Sequence, residues 1–451
     1  MGTGTVRGTA TGATALAERR REQRGWYFYD WACSVYSTSV LTVFLGPYLT
    51  SVAKTAADAD GFVHPLGIPV RAGSFFAYTV SLSVILSVFV MPLAGAAADR
   101  TGRKKPLLAL SAYTGAAATA GMFFLEGERY LLGGALLVVA NSALAVSMVL
   151  YNSYLPQIAP PEERDAVSSR GWAFGYASGA LVLVANLVLY ANYDTFGVSE
   201  ATAVRICLAS AGVWWGAFTL VPLRRLRDRR STRAPGGTAP GLRHLVATVR
   251  DMRRHPLTLS FLLAYLVYND GVQTVISQAS VYGSEELGLE QSTLIVAVLL
   301  VQVLAVVGAL AMGRLARAYG AQRTILGSLV AWTVTIGAGY FLPANAPVWF
   351  FVLAVGIGLV LGGTQALSRS LFSHLVPPGK EAEYFSAYEM SDRGMSWLGP
   401  LVFGLAYQLT GSYRDAIVSL VAFFLVGFVL LARVPVRQAV RDAGNPVPAR
   451  I

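Results

Sequence analysis

Twelve predominantly apolar stretches recur along the 451-residue chain, and they limit its fold more than any other feature. Each holds about 20 residues or more, enough for an α-helix to cross the hydrocarbon core of a bilayer. They cover 26–50, 74–98, 106–125, 130–157, 169–191 and 201–222 in the first half, and 257–282, 291–313, 323–342, 347–373, 388–409 and 414–433 in the second. Backbone polar groups in hydrocarbon must be satisfied within their own segment, so the stretches are read as helices. The connections are mostly short, which makes successive helices antiparallel. Composition agrees: charged residues make up only 14% of the chain, too few to cover a water-facing surface at the roughly 25% typical of soluble domains. The apolar content also excludes disorder, and two cysteines exclude a disulfide-stapled secreted domain. Cys33 and Cys207 lie in apolar stretches and read as core thiols. Residues 1–25 carry five arginines but no short apolar core with a cleavage site, so the first stretch is read as a retained membrane helix.

The net charge of +11 sets orientation rather than nucleic-acid binding, because the cations occupy the connections. Of the 36 lysines and arginines, 28 fall on the side of the N-terminus, four on the opposite side and four within or at the ends of spans. Both termini are therefore expected in the cytoplasm. The connection 223–256 holds ten arginines and Pro235-Gly236-Gly237, and divides the helices six and six. It reads as a solvated linker or as a segment that binds anionic lipid. The expected organisation is an all-α integral membrane protein of twelve transmembrane helices in two six-helix bundles. A cytoplasmic tail, 1–25, precedes the first bundle, 26–222; the basic linker 223–256 leads to the second bundle, 257–433, and a cytoplasmic tail, 434–451.

The halves repeat one another. Gly95-x-x-x-Asp99-x-x-Gly102 corresponds to Gly313-x-x-x-Arg317-x-x-Gly320, and Pro160-Pro161 to Pro377-Pro378. Ser169-Arg170-Gly171 corresponds to Asp392-Arg393-Gly394, and Tyr29-Asp30 loosely to Tyr268-Asn269-Asp270. Two parallel repeats around a central site form a transporter architecture.

Gly95-Ala96-Ala97-Ala98-Asp99-Arg100-Thr101-Gly102-Arg103-Lys104-Lys105 resembles the helix 2–3 loop signature of the major facilitator superfamily. Within it, the chain resembles the vacuole-effluxer-like family. The matching stretches are Tyr29-Asp30-Trp31-Ala32, Tyr151-Asn152-Ser153-Tyr154-Leu155-Pro156, Pro160-Pro161-Glu162-Glu163-Arg164, Gly362-Gly363-Thr364-Gln365-Ala366-Leu367-Ser368-Arg369-Ser370 and Gly399-Pro400. Cys33 stands where that family usually carries asparagine. The resemblance implies transport of amino acids, as its fungal member moves them out of the vacuole. It also implies a cytoplasmic latch at Asp99, Arg100, Arg103 and Lys104, with Asp99 near the positive end of helix 11. The superfamily's antiporter signature in helix 5 has Gly-Pro where this chain has Gly179-Ala180, so that motif lends antiport no support.

No phosphate-binding loop, H-E-x-x-H pair, cysteine cluster or G-x-S-x-G elbow occurs, and the four histidines lie in or beside connections. The expectation is no enzyme, no cofactor and no metal. The informative residues are polar groups within spans, each costly unless paired or hydrated. Asp270, Gln273 and Ser277 share a helical face beside Asn269, lining a cavity or bonding to another helix. Asp30, Ser34 and Ser37 share a face of the first helix. Asp30 there either serves a site or stays structural, hydrated or paired with Arg170 or Arg393. Asn141, Asn152, Gln302 and Gln365 are inward-facing amide candidates. Arg369, one turn from Gln365, either meets an anionic group or extends to the cytoplasmic surface. Tyr36, Trp172 and Tyr176 wall a pocket or pack.

These readings combine into a secondary active transporter of a small polar organic solute, amino acids first, working by alternating access. H⁺ is the expected coupling ion and Asp270 and Asp30 its candidate carriers. Substrate-binding candidates are Asn269, Gln273, Ser34, Ser37, Tyr36, Asn141, Asn152, Gln302, Gln365, Trp172 and Tyr176. A monomer in contact with membrane lipids is expected, in the cell membrane of a bacterium or a vacuolar-type membrane of a eukaryote. The alternative is a non-transporting sensor or lipid-handling protein on the same scaffold.

Overall fold

The computed structural model describes residues 6–229, 251–394 and 398–451, which are almost entirely helical. The first half holds α1 (Val6–Val35), α2 (Leu45–Thr55), α3 (Phe75–Thr101), α4 (Lys104–Gly121), α5 (Tyr130–Asn152), α6 (Arg164–Ala191) and α7 (Glu200–Arg225). The second holds α8 (Pro256–Val281), α9 (Gln291–Tyr319), α10 (Ala321–Gly339), α11 (Pro347–His374), α12 (Glu381–Gly394), α13 (Leu398–Thr410), α14 (Tyr413–Ser419), α15 (Val421–Ala432) and α16 (Val436–Asp442). Among the described residues, ten helices are long and apolar enough to cross a membrane. The expected spans 323–342 and 388–409 are not among the ten. The first coincides with α10, and the second falls on α12 and α13, either side of residues 395–397.

Residues 6–25, expected as a tail, are helical and run into the first span as the start of α1. Helix α12 begins at Glu381, seven residues before the apolar stretch 388–409. Apolar length marks only the membrane-facing part of a helix, whereas a polar start such as Glu381 and Glu383 is equally helical. Most of the 223–256 linker lies outside the described residues. Its first residues pair with α1, Arg227 with Glu18 at 3.2 Å and Arg229 with Glu22 at 2.7 Å.

Buried apolar side chains form two clusters, one from Trp26 to Leu226 together with Ala382, the other from Met252 to Val440. Large apolar side chains also cover the outside, among them Ile85, Phe89, Val330 and Val334. Such a belt is what hydrocarbon solvates and water does not.

The repeat reappears as two crossed contacts between the halves. A Cβ on Gly95 would meet the Ala382 carbonyl oxygen at 2.6 Å, at the start of α12. A Cβ on Gly313 would meet Ser169 Oγ at 2.5 Å, near the start of α6. The glycine of each loop signature thus lets its helix press on the opposite half. Between α1 and α2 the backbone runs as a π-helix, Tyr36–Phe44, and a second π segment, Tyr282–Glu286, follows α8. The two lie at matching ends of the first helix of each half. Such windings concentrate at functional sites.

Candidate functional site

A cavity of about 540 Å³ lies between the halves. Helices α1, α3, α5 and α6 and the first π segment line one side, and α8, α9, α11 and α12 the other. Much of its wall is apolar, from Leu41, Val80, Leu144, Leu294, Phe350 and Leu353. Charge enters through Asp30, Arg369, Glu389 and Asp392.

The centre of the polar network is Arg369 on α11, 1% exposed. Its Nη1 and Nη2 each lie 3.3 Å from Asp30 Oδ2, across the interface between halves. Nε donates to Ser168 Oγ at 2.9 Å, Nη2 to the Ser168 carbonyl at 2.9 Å and Nη1 to Asn152 Oδ1 at 3.3 Å. The guanidinium also lies over the rings of Trp26, Tyr151 and Trp172, 4.7 to 5.6 Å from their centroids. Tyr151 donates to Asp30 Oδ2 at 2.6 Å, and Asn152 Nδ2 to Glu389 Oε1 at 2.7 Å. A planar fork with several donors is what lets one side chain hold all these partners. Packing allows it too: on α6, a Cβ at Gly171 would lie 2.6 Å from Asp30 Oδ2, and one at Gly175 2.5 Å from Ser34 Oγ. The glycine stripe of α6 is therefore the bed for the polar face of α1.

Several expectations are corrected. Arg369 does not extend to the surface; its burial among acceptors and rings holds it at the interface. Asp30 is 4% exposed and paired with Arg369, not with Arg170, which is exposed. The side chain of Arg393 lies outside the described residues. Asp270 does not line the cavity. Its Oδ2 accepts the Gly399 N–H at 2.8 Å, at the start of α13, and its side chain is buried there. Helix N-termini present unpaired N–H groups, so a carboxylate is a natural partner. Asn269 stands one layer back, donating to Asp392 Oδ1 at 2.6 Å and accepting from Gln365 at 2.7 Å. Tyr36 is buried against Trp215 and does not line the cavity. Ser277 bonds back to the Thr274 carbonyl at 3.1 Å.

Ser34, Ser37, Asn141, Asn152, Gln273, Gln302, Gln365, Trp172 and Tyr176 all line the cavity. Gln302 donates to Thr38 Oγ1 at 3.0 Å, a further link between halves. Cys33, read as a core thiol, is buried but also reaches the lining. Glu389 and Asp392 were missed. With α12 starting at Glu381, they lie eight and eleven residues in, roughly 12 and 16 Å along the axis. Their i, i+3 spacing on a helix that also holds Glu381 and Glu383 was the available signal.

Asp270→Asn is expected to keep transport, with and without a pH gradient, because its carboxylate meets the start of α13 and is not among the cavity lining. Its cost is stability, about 1 kcal/mol for a weakened helix-end contact. Thermal unfolding of the purified variant measures that cost, and a lost response to pH would return Asp270 to the coupling machinery.

At the end of the interface where α3 meets α12, Asp99 Oδ2 accepts the Glu383 N–H at 2.9 Å, in the first turn of α12. Lys104 Nζ lies 3.4 Å from Asp99, 3.3 Å from Glu381 and 3.4 Å from the Ser153 carbonyl. Arg164 Nη1 crosses to the Ser373 carbonyl at 2.9 Å. Arg100 and Arg103 are exposed at the rim. This side of the interface is clasped. Asp99→Asn is expected to weaken the clasp by about 1–2 kcal/mol and slow turnover without unfolding the protein. Cysteine cross-linking between α3 and α12 reads the opening; unchanged cross-linking and flux would remove Asp99 from the latch.

Comparison with known proteins places this geometry. The family described as "Vacuole effluxer Atg22 like" matches residues 18–444. The uncharacterized MFS-type transporter YxiO of Bacillus subtilis is 29% identical over 92% of this chain and 95% of its own length. Autophagy-related protein 22-1 of Aspergillus niger is 25% identical over 94% of this chain and 90% of its own. Among solved structures, the E. coli fucose:proton symporter FucP superposes with a TM-score of 0.69 at 12% identity, covering 92% of this chain and 97% of that one. The human organic anion transporter MFSD10 gives 0.69 at 15%, covering 92% and 99%. At such identities the structures speak for the fold, which is that of major facilitator superfamily transporters. A family match over nearly the whole length, joined to a cavity between two helical halves, makes this multi-pass membrane chain a member of the Atg22-like vacuole effluxer family.

Proposed function

We propose that the protein is a secondary active transporter that carries a small polar organic solute, an amino acid first, by alternating access coupled to protons. The observation that carries the reading is the cavity between halves, ending on the Asp30–Arg369 pair and clasped beyond it by Asp99 and Arg164. In this proposal twelve spans form two bundles, 26–222 and 257–433, which rock about the cavity. Both termini and the 223–256 linker face the cytoplasm. Asp30 carries the proton: its bond to Arg369 is a cross-interface tie that changes with its charge, and opening the clasped side requires that tie to part. Asp270, away from the cavity lining, is left with a structural role.

The test is solute accumulation in proteoliposomes with and without an imposed pH gradient, screened first with amino acids. Accumulation that ignores the gradient would remove proton coupling, and no flux for any solute would remove transport. The topology is tested by cysteines placed in the 223–256 linker. They are expected to stay unlabelled by an impermeant thiol reagent in intact cells and to react after lysis. Rapid labelling in intact cells would invert the orientation.

A further inference from the structure

We infer that the face of the first half where α1, α6 and α7 meet holds an anionic phospholipid, its headgroup among Arg24, Arg170 and Arg225 and its chains on the aromatic side chains beside them. The inference needs the chain's membrane setting and not its transport reading.

Three helices bring the same pair of features to this face. On α1, Arg24, Phe28 and Trp31 are spaced i, i+4, i+7; on α6, Arg170 and Phe174 are one turn apart; on α7, Trp214, Phe218 and Arg225 are spaced i, i+4, i+11. The helices pack so that these stripes converge. Phe28 lies 5.7 Å from Phe174 and 6.3 Å from Phe218, and Trp31 lies 5.8 to 6.1 Å from Trp214, Phe174 and Phe218, between ring centroids. All five rings are half-buried, so the cluster is packed and still reached from outside. The arginines follow the rings. The Arg225 guanidinium is 6.0 Å from the Phe28 centroid, and Arg170 and Arg24 both act on the Tyr27 hydroxyl, whose ring is 5.6 Å from Phe174.

Depth and charge name the occupant. Each arginine stands within three residues of an end of its apolar stretch, the level at which a spanning helix leaves hydrocarbon for headgroups. None of the three forms an ion pair among the described residues. The acids close by are engaged: Glu18 with Arg227, Glu22 with Arg229, and Glu163 accepts from Gln23 at 2.8 Å. Residues 1–5, 230–250 and 395–397 contain no Asp or Glu, so they bring no carboxylate to this face. Like charges gathered on one face repel unless an anion joins them. A phosphodiester matches the guanidinium fork, and basic pockets between spanning helices are headgroup sites. The aromatic stripe below suits the glycerol and upper acyl chain.

The experiment titrates the delipidated full-length protein in neutral detergent with dioleoyl phosphatidylglycerol, dioleoyl phosphatidylcholine and inorganic phosphate. Native mass spectrometry reads retained lipid, and thermal shift reads binding. Phosphatidylglycerol is expected to bind at least about tenfold tighter than phosphatidylcholine, with no binding of phosphate at millimolar concentration. The triple variant Arg24→Gln, Arg170→Gln, Arg225→Gln should lose at least about fivefold of that preference. A control triple, Arg314→Gln, Arg317→Gln, Arg323→Gln, removes the same charge from exposed positions on α9 and α10 and should change it less than about twofold. If the first triple does not fold, its three single variants decide, each expected to lose about twofold to threefold. Phosphatidylcholine binding as tightly as phosphatidylglycerol would mean ordinary annular lipid and overturn the inference. So would phosphate competing with phosphatidylglycerol at millimolar concentration, equal losses in the control triple, or a preference unchanged in the folded patch variants.

Discussion

Arg369→Met is expected to abolish transport and destabilise the protein, the largest single effect in the molecule. The guanidinium is 1% exposed and donates to three residues of the other half, Asp30, Asn152 and Ser168. Methionine fills much of the volume but leaves Asp30 buried with the Tyr151 hydroxyl still donating to it. Removing one partner of a buried ion pair costs about 3–5 kcal/mol, because the other charge is left uncompensated. Neutralising both ends is far cheaper, since the desolvation penalty of the surviving charge disappears. The double variant Asp30→Asn with Arg369→Met should therefore recover much of the lost thermal stability and none of the transport. Arg369→Lys should also lose transport, because a point-like ammonium cannot bridge Asp30, Asn152 and Ser168 together. Thermal unfolding of wild type, Asp30→Asn, Arg369→Met and the double variant forms a double-mutant cycle. An Arg369→Met variant as stable as wild type, or one that still transports at the wild-type rate, would remove the pair from the mechanism.

Asp30→Asn alone is expected to separate movement from accumulation. The amide keeps an oxygen for the Tyr151 hydroxyl and the Arg369 guanidinium, so the lining geometry is kept, while the guanidinium left without its counter-charge lowers thermal stability. It cannot take up or release a proton. Counterflow exchange in proteoliposomes should continue, whereas accumulation driven by a pH gradient should fall to the level without a gradient. The two assays share protein and solute, so a general loss of activity is distinguished from loss of coupling. Persistent gradient-driven accumulation would place the proton elsewhere, with Glu389 and Asp392, the other lining acids, next in line. Loss of exchange as well would make Asp30 part of the solute site itself.

Much of this protein was legible in the chain before any coordinates. Apolar length alone marks the membrane helices, because hydrocarbon accepts no unsatisfied backbone and a helix satisfies its own. Periodicity puts Asp30, Ser34 and Ser37 on one face of α1, and the structure packs that side of the helix on Gly171 and Gly175 of α6. Such regularities are local, so they survive in one dimension. What the chain could not disclose is which distant residues meet. Arg369 and Asp30 are 339 positions apart, and the choice among Arg170, Arg369 and Arg393 as partner depends on how α6, α11 and α12 cross α1. Asp270 and Asp30 look alike in sequence, acids inside apolar helices, yet one meets the start of α13 while the other faces the cavity. The order of residues specifies the helices, their faces and the apolar medium they need; which polar face closes on a partner and which is left lining a cavity is settled by contacts between helices far apart along the chain.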